Sequence, residues 1–161
     1  MITQSNRTTL RAATALVSAV ALIGVSAAPA LAHSPKRQLK TILSGANEFN
    51  ATTGLLNAGD PDGSGKARVK IDLRKGLLCY DLRVKNIDAA VAAHIHEAAA
   101  GANGAIVVTL AAPTNGRSRG CLTVPTTLLT DIRTNPSKYY VNVHNVAFPG
   151  GAVRGQLASK R

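Results

Sequence analysis

The sequence predicts an all-β fold: a single antiparallel β-sandwich or barrel of about 7–8 strands, with one short helix near residues 126–135. Three observations carry this reading. Runs of alternating apolar and polar residues recur, most cleanly in Lys66-Ala67-Arg68-Val69-Lys70-Ile71-Asp72-Leu73, and strict alternation marks a strand with one buried face. Gly, Asn and Pro punctuate the intervals between the runs, where turns must form. In the domain itself only Leu128, Leu129 and Ile132 follow helical spacing, in a segment that Pro136 stops.

Taken in chain order, the first element is not part of the fold. Arg7 and Arg11 precede an Ala-rich apolar stretch, residues 12–28, which leads to Ala30-Leu31-Ala32. A basic start, a short apolar run and a small-x-small motif describe a secretory signal peptide, so residues 1–32 are expected to be removed after Ala32. No later segment approaches the length of a membrane span, so no transmembrane segment is expected after cleavage. Residues 33–161 then form one domain, with its core at 38–157, in a secreted or extracytoplasmic protein. Its length suffices for one hydrophobic core.

Residues 38–44 read as the first strand. Asp60-Pro61-Asp62-Gly63-Ser64-Gly65 lacks the distal glutamate of a calcium loop and reads as a turn. It leads into strand 66–73, with Ala67, Val69, Ile71 and Leu73 on one face. Arg74-Lys75-Gly76 turns that strand into 77–85, a hairpin partner with Leu78, Tyr80, Leu82 and Val84 inward and Cys79, Asp81 and Arg83 outward. Strands at 92–97, 105–110, 120–124, 139–144 and 152–157 follow. In the third of these Leu122 and Val124 point inward and Cys121 outward. Two cysteines in an exported chain, both on the polar face, are expected to form a Cys79–Cys121 disulfide. Residues 33–37 and 159–161 read as frayed ends.

The chain carries 19 Lys and Arg against 8 Asp and Glu, a formal charge of +11, and only Arg7 and Arg11 belong to the leader. So basic an exported domain is expected to meet an anionic cell-surface polymer or an extracellular protein. Nucleic acid is not expected as a partner, because aromatic residues are few and no recognition motif is present.

Chemistry concentrates in the histidines. His94 and His96 form a His-x-His pair on a strand, where residues two apart share a face. His144 ends a later strand, and only His33 remains besides. Three converging imidazoles would suit copper or zinc, and the alternative is a polar network that fixes strand register. Asn142 and His144 share one face of 139–144, and Arg154 and Gln156 share one face of 152–157. If these strands are neighbours, Asn142, Arg154 and Gln156 lie beside the histidines, with Glu97 and Asn142 the candidates to orient the rings. Cleavage after Ala32 would also leave His33 at the N-terminus, an exposed end. No catalytic nucleophile motif is present, so any catalysis would belong to a bound metal.

Several blocks together resemble the CHRD domain, the module first named in chordin. They are Gly45-Ala46-Asn47-Glu48, Ala93-His94-Ile95-His96-Glu97, Gly101-Ala102-Asn103-Gly104 with Ile106-Val107-Val108, and Tyr140-Val141-Asn142-Val143-His144 running into Pro149-Gly150-Gly151-Ala152-Val153-Arg154-Gly155-Gln156-Leu157. The resemblance covers residues 38–157. It departs at Ala152, where an acidic residue is usual, and at Asn145, where threonine often follows the histidine. The resemblance by itself assigns no activity, and the first reading is an exported, non-enzymatic binding module that engages an extracellular partner or surface. In animals the domain sits in an inhibitor of growth factors, a role not carried over to this small protein. His-x-His with a later strand histidine is also similar to the copper side of copper–zinc superoxide dismutase, although no histidine lies between His96 and His144 to match its bridging ligand. Copper storage or dismutation at His94, His96 and His144 is therefore the alternative reading.

Overall fold

A computed structural model describes Met1 and residues 37–159. The expected signal peptide and His33 lie outside the described residues. In chain order the elements are β1 (Arg37–Ser44), β2 (Ser64–Asp72), β3 (Leu77–Lys85), β4 (Ala92–Glu97), β5 (Ala105–Leu110), β6 (Arg117–Thr123), α1 (Thr126–Thr134), β7 (Tyr139–His144), β8 (Val153–Gln156) and β9 (Ala158–Ser159). They form one antiparallel sheet in the order β5-β4-β7-β8-β1-β2-β3-β6, with β9 on β1, curled into a nearly closed barrel. No helix among the described residues is long and apolar enough to cross a membrane.

Alternation decides which face of each strand enters the barrel. Leu39 and Leu43 of β1, Ala67, Val69 and Ile71 of β2, and Leu78, Tyr80, Leu82 and Val84 of β3 join one buried cluster. Ile95, Val108, Val141, Val143 and Val153 complete it from the other strands, and α1 adds Leu129 and Ile132. Fully burying each such side chain contributes roughly 1.5–3 kcal/mol. Tyr80 reaches the core because its hydroxyl accepts the Ala111 N–H at 2.9 Å, and Tyr139 because its hydroxyl donates to Asp131 of α1.

The strand boundaries depart from the sequence reading where backbone packing overrides pattern. Strand β2 begins at Ser64, inside the expected turn. A Cβ at Gly65 would meet the Arg83 carbonyl oxygen at 2.4 Å, so glycine lets β2 approach β3 there. Strand β6 begins at Arg117 rather than 120, because this end strand of the sheet buries little on either face and shows no apolar alternation. Of the expected frayed ends only Arg37 and Ser159 are among the described residues, and both are paired. Arg37 pairs in register with Ile71, and Ser159 pairs with Leu39 in β9, a two-residue strand too short to leave a pattern.

Cys79 and Cys121 stand opposite each other on β3 and β6 and form the expected disulfide, 42 residues apart in sequence. The bridge acts mainly by restricting the unfolded chain. Replacing both cysteines by serine should therefore cost about 4 kcal/mol, read as a lower urea midpoint with a higher m-value, because the unbridged denatured chain exposes more surface. An unchanged midpoint would show that the bridge contributes nothing.

Candidate metal centre

The three histidines stand on the outside of the barrel. In the β4–β7 pairing, Ala92, His94 and His96 lie opposite His144, Asn142 and Tyr140. Since alternate residues share a face, His94, His96 and His144 all project outward, away from the core. One nitrogen from each ring lies within 4.8 Å of the other two. His94 Nδ1 is 3.2 Å from His144 Nε2. A metal about 2.0–2.1 Å from each nitrogen holds ligand atoms no more than about 4.2 Å apart, and nearer about 3.3 Å when tetrahedral, so a pair as wide as 4.8 Å closes by at least about half an ångström on binding.

Two rings are oriented by backbone carbonyls. His96 Nδ1 bonds the Gly104 oxygen at 3.0 Å, and His144 Nδ1 bonds the Pro149 oxygen at 3.0 Å. A carbonyl only accepts, so each Nδ1 carries the proton and each Nε2 presents its lone pair. His96 Nε2 is buried without a hydrogen-bond partner. Burial holds all three imidazoles below their usual range. At His94 the His144 and His96 charges add to this effect, while the carbonyl bonds at His96 and His144 pull the other way. Neutral rings are the form in which histidine binds metal.

Glycine sets the carbonyl that holds His96. A Cβ at Gly104 would meet the Glu97 carbonyl oxygen at 1.9 Å, so only glycine lets the loop after β4 fold back so closely. Arg154, 1% exposed, keeps that loop in place. Its Nη2 donates to the oxygens of Ala99 at 3.1 Å and Ala102 at 2.8 Å, and its Nη1 donates to Asn103 Oδ1 at 3.2 Å. The guanidinium carbon lies 3.3 Å above the Tyr140 ring centroid. Tyr140 in turn stacks on His96, with centroids 4.7 Å apart and planes 4° apart. Strand β7 separates β4 from β8, so Tyr140 stands between His96 and the cation.

Asn142, Arg154 and Gln156 do share the histidines' face, as read from the sequence. Gln156 Nε2 donates to the Ala98 and Ser137 oxygens, both at 2.7 Å. The orienting roles are corrected, however. Glu97 is exposed at the end of β4, in register with Tyr139 and on the side away from the imidazoles. Asn142 Nδ2 donates instead to Glu48 Oε2 at 3.4 Å. The residues that sequence reasoning missed are Gly104, Pro149, Tyr140 and Glu48, although all four lie within the blocks quoted above.

Glu48 is 2% exposed. Burial pushes its carboxyl up to about 8, against the opposing pull of Arg154 and of the Asn142 N–H. Gly151, at φ +143°, makes room for it: a Cβ there would stand 2.5 Å from both carboxyl oxygens.

The family model of the CHRD domain matches residues 39–157. No curated protein matches the chain.

Because Glu48 is harder to ionise folded than unfolded, the native state binds the extra proton. Its contribution to stability is fully present below about pH 4.5 and is lost as pH rises toward about 8. Glu48→Gln should flatten this part of the stability–pH curve and exceed the parent by a few kcal/mol above that window, as followed by urea unfolding at several pH values. Parallel curves for the two proteins would contradict a neutral Glu48.

Proposed function

The chain belongs to the CHRD domain family, and we propose that it is an exported binding module whose ligand is a copper or zinc ion held by His94, His96 and His144. One observation carries the reading: the buried, unpartnered Nε2 of His96, whose ring is fixed through Nδ1 and whose neighbours offer nitrogens within 4.8 Å. A buried acceptor left without a partner costs about 1–3 kcal/mol, and a metal bond removes that cost. Three neutral nitrogens suit copper and zinc better than oxygen-seeking ions. They also leave a coordination position for an outside ligand, on the side where His94 and His144 are part-exposed. The CHRD family and the disulfide support an extracellular setting, and the basic, Ala-rich leader supports export with cleavage after Ala32.

The protein prepared from residue 33 onward should retain about one equivalent of Cu(II) or Zn(II) after dialysis. His96→Ala should abolish retention, and His94→Ala and His144→Ala should weaken it at least tenfold. His33→Ala should leave retention intact, which separates the cluster from chelation by the N-terminus. Retention no greater in the parent than in His96→Ala would overturn the proposal. Superoxide dismutation by the copper-loaded parent, absent from His96→Ala, would add a redox role to binding.

Intact mass of the exported protein should correspond to a chain beginning at His33. A membrane-bound chain that keeps Met1 would show the leader to be an anchor.

A further inference from the structure

A second surface lies apart from the histidines, on the outward face of β1, β2, β3 and β6. Register places Lys40, Arg68, Asp81 and Arg119 in one row across these four strands, and Ile42, Lys66, Arg83 and Arg117 in the next. Lys70 extends the column on β2, opposite Cys79. All the Lys and Arg side chains among these are exposed. Strands lie about 4.8 Å apart and alternate residues about 6.6 Å apart along a strand, so the cations form a closely spaced lattice on the outside of the barrel. Within the two rows Asp81 is the single acid.

Like charges opposite one another on a sheet are destabilising, by up to about 1 kcal/mol per pair. Protection of a sheet edge explains charges on β6, which ends the sheet. It does not explain Lys66, Arg68 and Lys70, because β2 is interior, paired on both sides. The face also shows how it takes an anion. Arg117 grips the Asp81 carboxylate with both prongs, Nε to Oδ1 at 3.1 Å and Nη2 to Oδ2 at 2.7 Å. Arg83 Nε lies 3.4 Å from Oδ1. Bidentate pairing of this kind is specific for planar carboxylates and for phosphates. No outward aromatic residue in these rows offers a stacking platform for single-stranded nucleic acid. Ile42 is their only large apolar side chain, too little to enter a lipid surface.

We propose that this outward face, centred on Lys66, Arg68, Lys70 and Arg119, binds a linear carboxylated polysaccharide. Successive carboxylates along such a polymer meet the cations that Asp81 leaves free. Rows of cations that run across four strands suit an extended chain laid over them, and charge supplies the complementarity. The surface works independently of any metal at the histidines.

The test uses the protein from residue 33 onward and size-fractionated polygalacturonate, with binding measured calorimetrically. Binding should weaken at least tenfold between about 50 and about 200 mM salt. A Lys66→Gln, Arg68→Gln, Lys70→Gln variant should lose binding about tenfold or more, with circular dichroism reporting its fold. Arg119→Gln, on the end strand, reads the same effect if the triple variant does not fold. A charge-matched control, Lys75→Gln with Arg133→Gln and Lys138→Gln, should bind like the parent, and so should His96→Ala. Equal losses in the control would reduce the effect to net charge and overturn the proposal. Single-stranded DNA or anionic vesicles binding as tightly as polygalacturonate at about 150 mM salt would overturn it as well.

Discussion

Burial of the Arg154 guanidinium is the constraint on which the outer face of β4, β7 and β8 depends. A buried cation is tolerated only when its hydrogens are satisfied, and here oxygens of Ala99, Ala102 and Asn103 accept them. The same bonds pin an otherwise irregular loop against the barrel. Asn103 then reaches on to the Phe49 carbonyl, and Asn47 to the carbonyl of Arg154 itself. Two separate loops are thus held by the side chain and the carbonyl of one residue on a four-residue strand. The position of Gly104, and through it the ring of His96, follows from that arrangement.

A fixed positive charge near three imidazoles would oppose a second cation. After burial, Arg154 is among the causes that hold the His96 imidazole down. Every hydrogen bond from the guanidinium points to the loop, and the Tyr140 ring lies between it and His96. Tyr140 is therefore both a platform for the arginine and a wall of the histidine pocket. Its hydroxyl also accepts the Gly104 N–H at 3.3 Å, so one ring touches every part of the site that sets His96. Glu48 accepts the Asn142 N–H. Its preference for the neutral acid means that it does little to offset Arg154, and the loop oxygens carry that task.

Most strands were legible because one face of each is buried, which turns structure into alternation. Strands β3, β4, β5 and β7 follow the expected limits to the residue. The convergence of His94, His96 and His144 was legible for the same reason, since period two fixes the face once β4 and β7 are neighbours. What escaped has no side-chain signature. The groups that orient His96 and His144 are carbonyls of Gly104 and Pro149, and any residue type carries a carbonyl. Only the need for glycine at 104 leaves a mark, and that mark depends on a close approach to Glu97 which the sequence does not display. The start of β6 and the whole of β9 escaped because an end strand and a two-residue strand bury too little to impose a pattern.

The histidine pair that lies 3.2 Å apart is separated by 50 residues of chain. Only His94 and His96 are neighbours before folding, and a His-x-His pair alone offers two ligands on a mobile segment. A three-nitrogen cluster is therefore a property of the finished barrel, acquired when β7 docks beside β4. On the proposed reading, an ion met by the extended chain would find no third nitrogen to hold it. The choice among ions would then fall to the compartment in which the last strands close.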